Sequence, residues 1–593
     1  KEISPSVNRP LIKGFVFGVA GGVIGLMFNA TLIDVFEASK VAENLWMILG
    51  IATGALMLYK TKPILYKENI KKVFSSNIFI FIYLFCLLLA GFLSSISNFF
   101  VADDFTWLRW AAQSIVSDIP KYFTDSQNFF YRPLDKTIVF YLYTLFSFQP
   151  AGYHIFTLLL HLFTSFGVYI FTKSLFENVI ARGADVRSSP AGQARNDEAI
   201  PSTTRLPRSL SVARNDKTGK LYAFLASVLF LFHPAHSENI YWFSTISVTL
   251  SSLLILYAAI SFLNFRKNNS LAAYVISFII SVLAFLSYEL AVVIPLIFIL
   301  IDIVLIKPKK SLRTFIIHLP FISLVPIYFI VRNLTHAFSG GGDYSYSFSH
   351  LIPNIFGNIF GYFGLFLAGE EFLPVYDTLR ASLRENMFAF AGIFIFILAA
   401  IIFIFKKYKK NIIKFCKKND TKIIIFGILF GFISLLPYLA LGNIAPRYIY
   451  LASAGFAISF IQILRLIKNR FILLSLIMAI IIIFYQMIIA ENNQWKKAGN
   501  ITKNMLIDFR FDYKNLNSAS NIYFVNPPMK LNNAWVFPVG LPDSLWFIYR
   551  ESMPGIYLVS TIDEAKIKIQ NRGAFKNYIF IFDKEGKIQR IRF

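Results

Sequence analysis

Residues 271–306 read LAAYVISFIISVLAFLSYELAVVIPLIFILIDIVLI and contain two charged side chains, Glu289 and Asp302. A helix needs about 20 apolar residues to cross the hydrocarbon core of a bilayer, so this stretch predicts two consecutive spans, 271–287 and 289–306. The whole chain has the same character, because 56% of its 593 residues are hydrophobic and 15% are charged, against about 25% charged in soluble domains. The composition excludes a soluble globular protein and predicts an α-helical multi-pass membrane protein.

Apolar segments of similar length recur along most of the chain. They predict about thirteen transmembrane helices, near 12–29, 42–59, 78–97, 153–175, 221–234, 244–264, 271–287, 289–306, 313–332, 387–406, 423–441, 448–465 and 471–490. The segment 351–368 is also apolar, but a crossing there would move the basic run at 406–418 to the opposite side of the membrane. We therefore expect 351–368 to be re-entrant or to lie in the interface, with Gly357, Gly361 and Gly364 allowing close packing.

The net charge of +25 follows the predicted topology. Of the 58 Lys and Arg residues, 34 lie before residue 14 or in alternate loops between spans. The positive-inside rule assigns these loops and the N-terminus to the cytoplasm, and it places the C-terminus outside the plasma membrane. The charge is therefore mainly a topology signal, so we expect contact with membrane lipids and none with nucleic acid.

The chain divides into three predicted parts. Residues 1–60 form a transmembrane hairpin, residues 61–490 the main transmembrane domain, and residues 491–593 a small extracytoplasmic α/β domain. The last part is predicted from β-rich runs at 521–525, 535–539 and 578–582 and helical stretches near 496–509 and 543–551. This domain could cover a site, bind an acceptor or simply stabilise the protein.

Three segments interrupt the apolar pattern of residues 61–490. Two are large outer loops, 98–152 and 333–386. The third, 181–219, is polar and contains the sequence ARND twice, at 194–197 and 213–216. This composition predicts a disordered cytoplasmic insertion.

The loop 98–152 opens with FFVADDFTWLRWA, which places Asp103 and Asp104 directly after the third span. Adjacent carboxylates repel each other, so one can hold a raised pKa, which suits a general base for a hydroxyl nucleophile. We prefer Asp104 as the base, because Asp103 also fits a cap or an orienting group. The alternative for the pair is a helix N-cap followed by a first-turn acid.

Other outer segments carry further polar groups. FYRPLDKT at 130–137 could present Arg132 to a phosphate or fix the loop to Asp135. HPAHSENIYW at 233–242 could ligate a metal, bind a phosphate or pack at the interface. Glu289 begins a span, where acids usually face a cavity. NIAPRYIYLASAGF at 443–456 places Arg447 at an outer span end, where anchoring to the interface is the alternative.

The order DD, YRPL, GYH…LLLH, HPxHxE, SxE and RYxYLxSxGF resembles the GT-C membrane glycosyltransferases. The likeness is to the branch of bacterial protein O-mannosyltransferases and transmembrane-and-tetratricopeptide-repeat O-mannosyltransferases, and it covers roughly residues 78–490. The chain departs from that pattern in two places. Tyr288 stands where a lysine is expected before Glu289, and the α/β tail replaces the repeats.

The resemblance implies an enzyme that transfers a sugar, such as mannose, from a polyprenyl-phosphate donor to an extracytoplasmic protein hydroxyl, glycan or lipid. It implies Asp103 and Asp104 as the active-site acids. The residues expected near the donor phosphate are Arg447, Tyr448, His233, His236 and Arg132, and the other substrate-site candidates are Glu238, Glu289, Tyr131 and His154. A divalent ion held by the two aspartates could share the phosphate charge.

Two other functions remain open from the sequence. A flippase or transporter would make and break no bond, but such proteins usually bind their substrate near the midplane and contain paired repeats. Here the ionisable residues cluster on one face and no internal repeat is visible. An oligosaccharide ligase would instead transfer a preassembled glycan.

Overall fold

A computed structural model describes residues 76–187, 208–306, 312–338, 346, 350–386, 392, 406–407, 419–467, 469–570, 576–583 and 586–591. The chain divides into two units, residues 1–90 and 91–593. The predicted hairpin 1–60 lies outside the described residues, as does nearly all of the predicted span 387–406.

Helices dominate the described chain. They are α1 Asn77–Phe92, α2 Asp104–Gln113, α3 Pro133–Phe146, α4 Pro150–Arg187, α5 Arg208–Leu231, α6 Ser237–Tyr241, α7 Ile246–Asn268, α8 Leu271–Ser287, α9 Ile294–Leu300, α10 Leu312–Ile316, α11 Leu319–Leu334, α12 Leu351–Ala368, α13 Leu373–Glu385, α14 Asn419–Leu439, α15 Tyr450–Leu464, α16 Arg470–Asp512, α17 Leu541–Tyr549 and α18 Ile562–Gln570. Short 3₁₀ turns join several of them, notably Pro234–His236, Phe243–Thr245, Glu289–Val293 and Pro446–Ile449.

Nine helical segments within the described residues are long and apolar enough to cross a membrane. They are Asn77–Ser97, Pro150–Glu177, Phe243–Asn268, Glu289–Ile306, Thr314–Leu334, Leu351–Ser382, Thr421–Leu439, Pro446–Leu464 and Phe471–Asp512. Two shorter apolar helices, Gly219–Leu231 and Leu271–Ser287, match two further predicted spans. These elements confirm a multi-pass helical membrane protein. The full count of thirteen stays a prediction.

The apolar segment from Leu351 is helical to Ala368 and then turns at Gly369, whose φ is +63°. Its glycines pack as the sequence suggests at two of three positions. A Cβ on Gly361 would meet the Tyr376 ring, and one on Gly364 would meet the Phe372 ring, whereas Gly357 has room. The re-entrant or interfacial placement of this helix stays a prediction.

The C-terminal residues form the predicted α/β domain. Its strands are β1 Ser520–Val525, β2 Lys530–Leu531, β3 Ala534–Trp535, β4 Gly555–Val559, β5 Lys576–Phe582 and β6 Ile588–Ile591. The main sheet has the order β4-β1-β5-β6, with β1 parallel to β4 and β5, while β6 is antiparallel to β5. Alternate side chains of β1, including Tyr523 and Val525, pack with Ile579 and Ala565 to form its core.

The structure differs from the sequence predictions in three places. The run 535–539 is not a strand beyond Trp535, and the main-chain N–H groups of Val536 and Phe537 donate to the carbonyls of Met529 and Pro528. The stretch 496–509 is the end of the continuous helix α16. The segment 181–219, predicted to be disordered, is helical at both edges, where α4 extends to Arg187 and α5 begins at Arg208. Residues 188–207 lie outside the described part.

The α/β domain packs against the loop that follows Ser97. The main-chain N–H of Ala102 donates to the carbonyl of Val536 at 2.8 Å. Asp543 accepts hydrogen bonds from Thr106 at 2.5 Å and from Arg109 at 2.9 Å. The domain and the loop 98–152 therefore lie at the same end of the helices.

Candidate active site

Hydrogen bonds to Asp104 connect the start of α2 to the 3₁₀ turn directly before α7. Its Oδ2 accepts the main-chain N–H of Val101 at 3.1 Å, and its Oδ1 accepts the N–H and the hydroxyl of Ser244 at 2.8 Å and 2.6 Å. Asp104 is 1% exposed, and burial raises its pKa to about 7. Both carboxylate oxygens are thus engaged in holding two loops together.

Asp103 is placed differently, although it is the adjacent residue. It occupies the N-cap position of α2, but its side chain accepts no capping hydrogen bond. Asp103 is partly exposed, and its buried Oδ1 has no hydrogen-bond partner among the described residues. This geometry argues against the N-cap reading and leaves the carboxylate available to a bound group.

Charged and polar side chains surround the Asp103 carboxylate. Burial raises the pKa of Asp103, whereas the positive charge of Arg447 acts to lower it. The side chains of Ser244 and Trp242 act in the same direction as Arg447. One oxygen of Asp103 without a partner among the described residues therefore lies close to the Trp242 indole and to the positive charge of Arg447.

Arg447 is held by an ion pair and by aromatic rings. Its Nη1 donates to Oε2 of Glu238 at 3.0 Å, and its main-chain N–H donates to the same oxygen at 3.3 Å. Its guanidinium lies 5.5 Å from the ring centre of Trp242 and 4.8 Å from that of Tyr448. Tyr448 in turn stacks on Tyr438 with ring centres 4.0 Å apart. The guanidinium is thus fixed beside Asp103, with its side chain 16% exposed.

The α/β domain contributes a side chain to this cluster. The indole Nε1 of Trp535 donates to Oε1 of Glu238 at 2.9 Å. Its ring centre lies 5.9 Å from that of Trp242. Glu238 therefore bridges the two domains, with one oxygen bonded to Trp535 and the other to Arg447.

Arg132 and Glu289 form a separate pair. Nε and Nη2 of Arg132 donate to the two carboxylate oxygens of Glu289 at 3.3 Å and 3.0 Å. The guanidinium lies 4.2 Å from the ring centre of Phe130 and 4.4 Å from that of Tyr288. Tyr288, which stands where the resemblance predicts a lysine, thus covers a guanidinium. Tyr131 directs its hydroxyl toward the carbonyl of Phe123 at 3.5 Å.

The histidines bond to neighbouring helices. His233 bonds through Nε2 to the carbonyl of Phe366 at 2.9 Å, and His236 bonds through Nε2 to the hydroxyl of Ser453 at 2.8 Å. His154 similarly bonds to the carbonyl of Asn98 at 3.1 Å. Burial lowers the pKa of His233 to about 4 and that of His236 well below its usual range. Burial therefore disfavours the charged form of both imidazoles, which is the form that would pair best with a phosphate.

The residues around Asp103 and Asp104 do not form a cage for a metal ion. Both oxygens of Asp104 already accept hydrogen bonds, and Asp103 is influenced by the positive charge of Arg447. Glu238 is paired with Arg447, whereas His233 and His236 bond to Phe366 and Ser453. Across the described ranges, no group of three or more His, Cys, Asp or Glu residues could hold a metal. We therefore derive no step through a metal ion.

Sequence reasoning did not single out Trp242, Ser244 or Trp535. Trp242 ends the motif at 233–242, and its position after five polar residues is a weak signal that the tryptophan serves the same site. Trp535 lies 297 residues from Glu238 along the chain, so no local pattern connects them. No family model matches the chain, and no curated protein matches it.

Proposed function

We propose that the protein is a GT-C-type membrane glycosyltransferase. It transfers one sugar, such as mannose, from a polyprenyl-phosphate donor to a hydroxyl of an extracytoplasmic protein, glycan or lipid. The site opens at the membrane surface on the extracytoplasmic side, with the N-terminus in the cytoplasm. Thirteen spans complete the fold.

One observation carries this proposal. Asp103 presents a buried carboxylate oxygen without a partner among the described residues, close to the positive charge of Arg447 and to the indole of Trp242. A base beside a cation is what transfer from a phosphate requires, because the acceptor loses a proton while the leaving group gains negative charge. The site lies where several candidate spans begin or end, within reach of a lipid carrier.

The reaction follows from these positions. The acceptor oxygen forms a bond to the anomeric carbon as the bond between that carbon and the phosphate oxygen breaks. The proton of the acceptor hydroxyl passes to Asp103, and the electron pair of the broken bond leaves with the lipid phosphate. Arg447 stabilises the charge that develops on the phosphate, while Asp104 holds Ser244 and the start of α2 in place.

The geometry favours Asp103 over Asp104 as the base, whereas the sequence alone favoured Asp104 slightly. Asp104 has no oxygen free of hydrogen bonds. Proton transfer to Asp104 would have to displace the Ser244 hydroxyl or the Val101 N–H. Asp103 needs no such rearrangement.

Matched variants test this assignment. Asp103→Asn should reduce turnover of polyprenyl-phosphate mannose by on the order of 10²–10⁴-fold, with unchanged monodispersity in nanodiscs. Asp104→Asn should mainly lower thermal stability. The two oxygens of Asp104 together accept three hydrogen bonds, and the amide would put a donor in place of one of these oxygens. Wild-type turnover in a folded Asp103→Asn variant would refute the role of Asp103.

The same assay separates the rival functions. A flippase would consume no donor, and an oligosaccharide ligase would transfer a preassembled glycan but no single sugar. A wild-type protein that consumes no lipid-linked monosaccharide would therefore rule out the proposed reaction.

A further inference from the structure

The C-terminal domain has a direct connection to the charged centre of the site. Trp535 lies at the end of the short hairpin formed by β2 and β3. Asn533, in the turn of that hairpin, donates to Glu491 at 2.9 Å and, through its main-chain N–H, to Gln494 at 3.1 Å. Both acceptors belong to α16, just after its predicted span 471–490, so the hairpin is anchored to the helix that connects the domain to the transmembrane part.

Glu238 divides its two oxygens between partners from different domains. Oε1 accepts the indole N–H of Trp535, and Oε2 accepts both the guanidinium and the main-chain N–H of Arg447. The side chain of Glu238 is 2% exposed. Charge-assisted hydrogen bonds to both oxygens of a buried carboxylate restrict its orientation. Trp535 therefore sets the orientation in which Glu238 holds Arg447.

We infer that Trp535 is a positioning residue for the phosphate end of the site, acting through Glu238 on Arg447. The hairpin 530–535 of the α/β domain is then one wall of the donor site, whereas Asp543 of the same domain only docks it. This inference rests on the proposed function in one respect, namely that Arg447 faces the lipid-linked phosphate. It assigns to the C-terminal domain a role that the sequence left open.

The alternative is that Trp535 only docks the domain onto the bundle. The structure offers a control for this alternative, because Asp543 also docks the domain, through Thr106 and Arg109, without bonding to Glu238 or Arg447. A second control is Trp495, which packs near Trp242 as Trp535 does, with its ring centre 6.2 Å from that of Trp242. Its Nε1 has no hydrogen-bond partner among the described residues.

The experiment measures binding of polyprenyl monophosphate to the full chain in nanodiscs, together with KM and kcat for polyprenyl-phosphate mannose. Trp535→Phe keeps an aromatic ring but removes the N–H. Loss of a hydrogen bond to a charged group should weaken phosphate binding and raise KM by on the order of 10-fold, with a smaller change in kcat. Asp543→Asn and Trp495→Phe should bind polyprenyl monophosphate within about twofold of wild type, well inside the effect of a charged hydrogen bond.

A double-mutant cycle tests the route of the effect. Arg447→Lys loses the planar fork that meets Glu238 and phosphate together, so adding Trp535→Phe to it should weaken binding little further. Additive losses would show that Trp535 does not act through Arg447. Equal weakening in Asp543→Asn would reduce Trp535 to a docking contact. Both results overturn the inference.

The binding measurement also separates this inference from the proposed function. If the wild-type protein binds polyprenyl monophosphate but consumes no donor, the transfer reaction is refuted and the role of Trp535 is decided by binding alone. If it consumes donor and Trp535→Phe behaves as wild type, the inference fails and the function stands. Absence of phosphate binding by the wild-type protein overturns the inference.

Discussion

Asp103 and Asp104 show how adjacent residues of one type acquire different roles. The turn at Ala102, with φ of 51°, directs Asp104 inward to Ser244 and Val101 and leaves Asp103 at the edge of α2. Asp104 then has the hydrogen bonds of a structural carboxylate. Asp103 keeps an oxygen without a partner in the described chain, which is costly in a folded protein unless a ligand uses it.

The pH dependence of transfer should report Asp103. A base must be ionised to accept a proton, so kcat/KM should fall as the pH falls through the pKa of Asp103 and should be constant above it. Because burial raises that pKa, the acid limb should lie above the ordinary value of about 3.9. The measurement is a pH–rate profile with polyprenyl-phosphate mannose.

A variant tests whether the acid limb of the pH–rate profile reports the pKa of Asp103. The side chain of Trp242 lowers the pKa of Asp103, so Trp242→Phe should move the acid limb to higher pH. Asp118→Asn is the control, because Asp118 is a partly exposed carboxylate of the same loop that pairs with Lys121 at 2.8 Å. An acid limb at the same pH in Trp242→Phe would contradict the assignment of that limb to Asp103.

Single residues also show the limits of sequence reasoning. The pair at 103 and 104 and the arginine at 447 could be found, because charged residues are rare in so apolar a chain and stand out at span ends. The choice between the two aspartates could not, since it depends on Ser244, which lies 140 residues away. The hydrogen bonds of His233 and His236 to Phe366 and Ser453 were likewise invisible, so their predicted phosphate role gains no support.

At the scale of elements, α14 and α15 pack through glycines. A Cβ on Gly455 would lie 2.8 Å from the main-chain nitrogen of Gly431, and one on Gly431 would meet the ring of Phe456. Small residues at such crossings let two backbones approach within a membrane. This close contact supports the position of Arg447, which lies in the 3₁₀ turn directly before α15.

Gly455→Ala should therefore destabilise the protein. The methyl group has no space between the two helices, and overpacking of this kind costs about 1–3 kcal/mol. The expected result is a lower apparent Tm in detergent. Gly442→Ala is the matched control, because nothing lies within 4 Å of a Cβ there. A Tm for Gly455→Ala equal to that of Gly442→Ala would contradict the close packing of α14 and α15.

Elements were predictable where their pattern is long and uniform. Apolar runs near 153–175 and 244–264 predicted the candidate spans Pro150–Glu177 and Phe243–Asn268 within a few residues, because burial in lipid demands length and apolarity alone. The run WVFPV at 535–539 has the composition of a strand, but its backbone bonds elsewhere. Val536 donates to the carbonyl of Met529 and accepts from the N–H of Ala102. Such docking is a tertiary property, which composition does not encode.

At the scale of the whole molecule, the loops of one helical end and the α/β domain form one assembly. Asp104 joins α2 to the turn before α7, and Glu238 joins α6 to the turn before α15. Trp535 joins Glu238 to the C-terminal domain. Each of these contacts spans at least 140 residues of chain. The sequence predicted which loops share a side from the alternation of basic residues, and the contacts place the same loops together.

The last prediction concerns which side of the membrane this end faces. α7 begins two residues after Ser244 and has 23 residues, which at about 1.5 Å per residue are enough to cross a hydrocarbon core of about 30 Å. Asn268 at its far end should therefore lie in the cytoplasm, beside Arg266 and Lys267. Exposed residues of the site end, such as Thr124 and Lys566, should lie outside.

Single cysteines at these three positions, in a background with Cys86 and Cys416 replaced by serine, test this topology. In intact cells an impermeant maleimide should label Thr124→Cys and Lys566→Cys, and it should label Asn268→Cys only after permeabilisation. Labelling of only one of the first two positions would contradict the packing of the α/β domain against the loop 98–152. Labelling of Asn268→Cys in intact cells, with the other two protected, would reverse the orientation. The donor would then have to approach from the cytoplasm, and the proposed extracytoplasmic acceptor would be wrong even if the site chemistry is right.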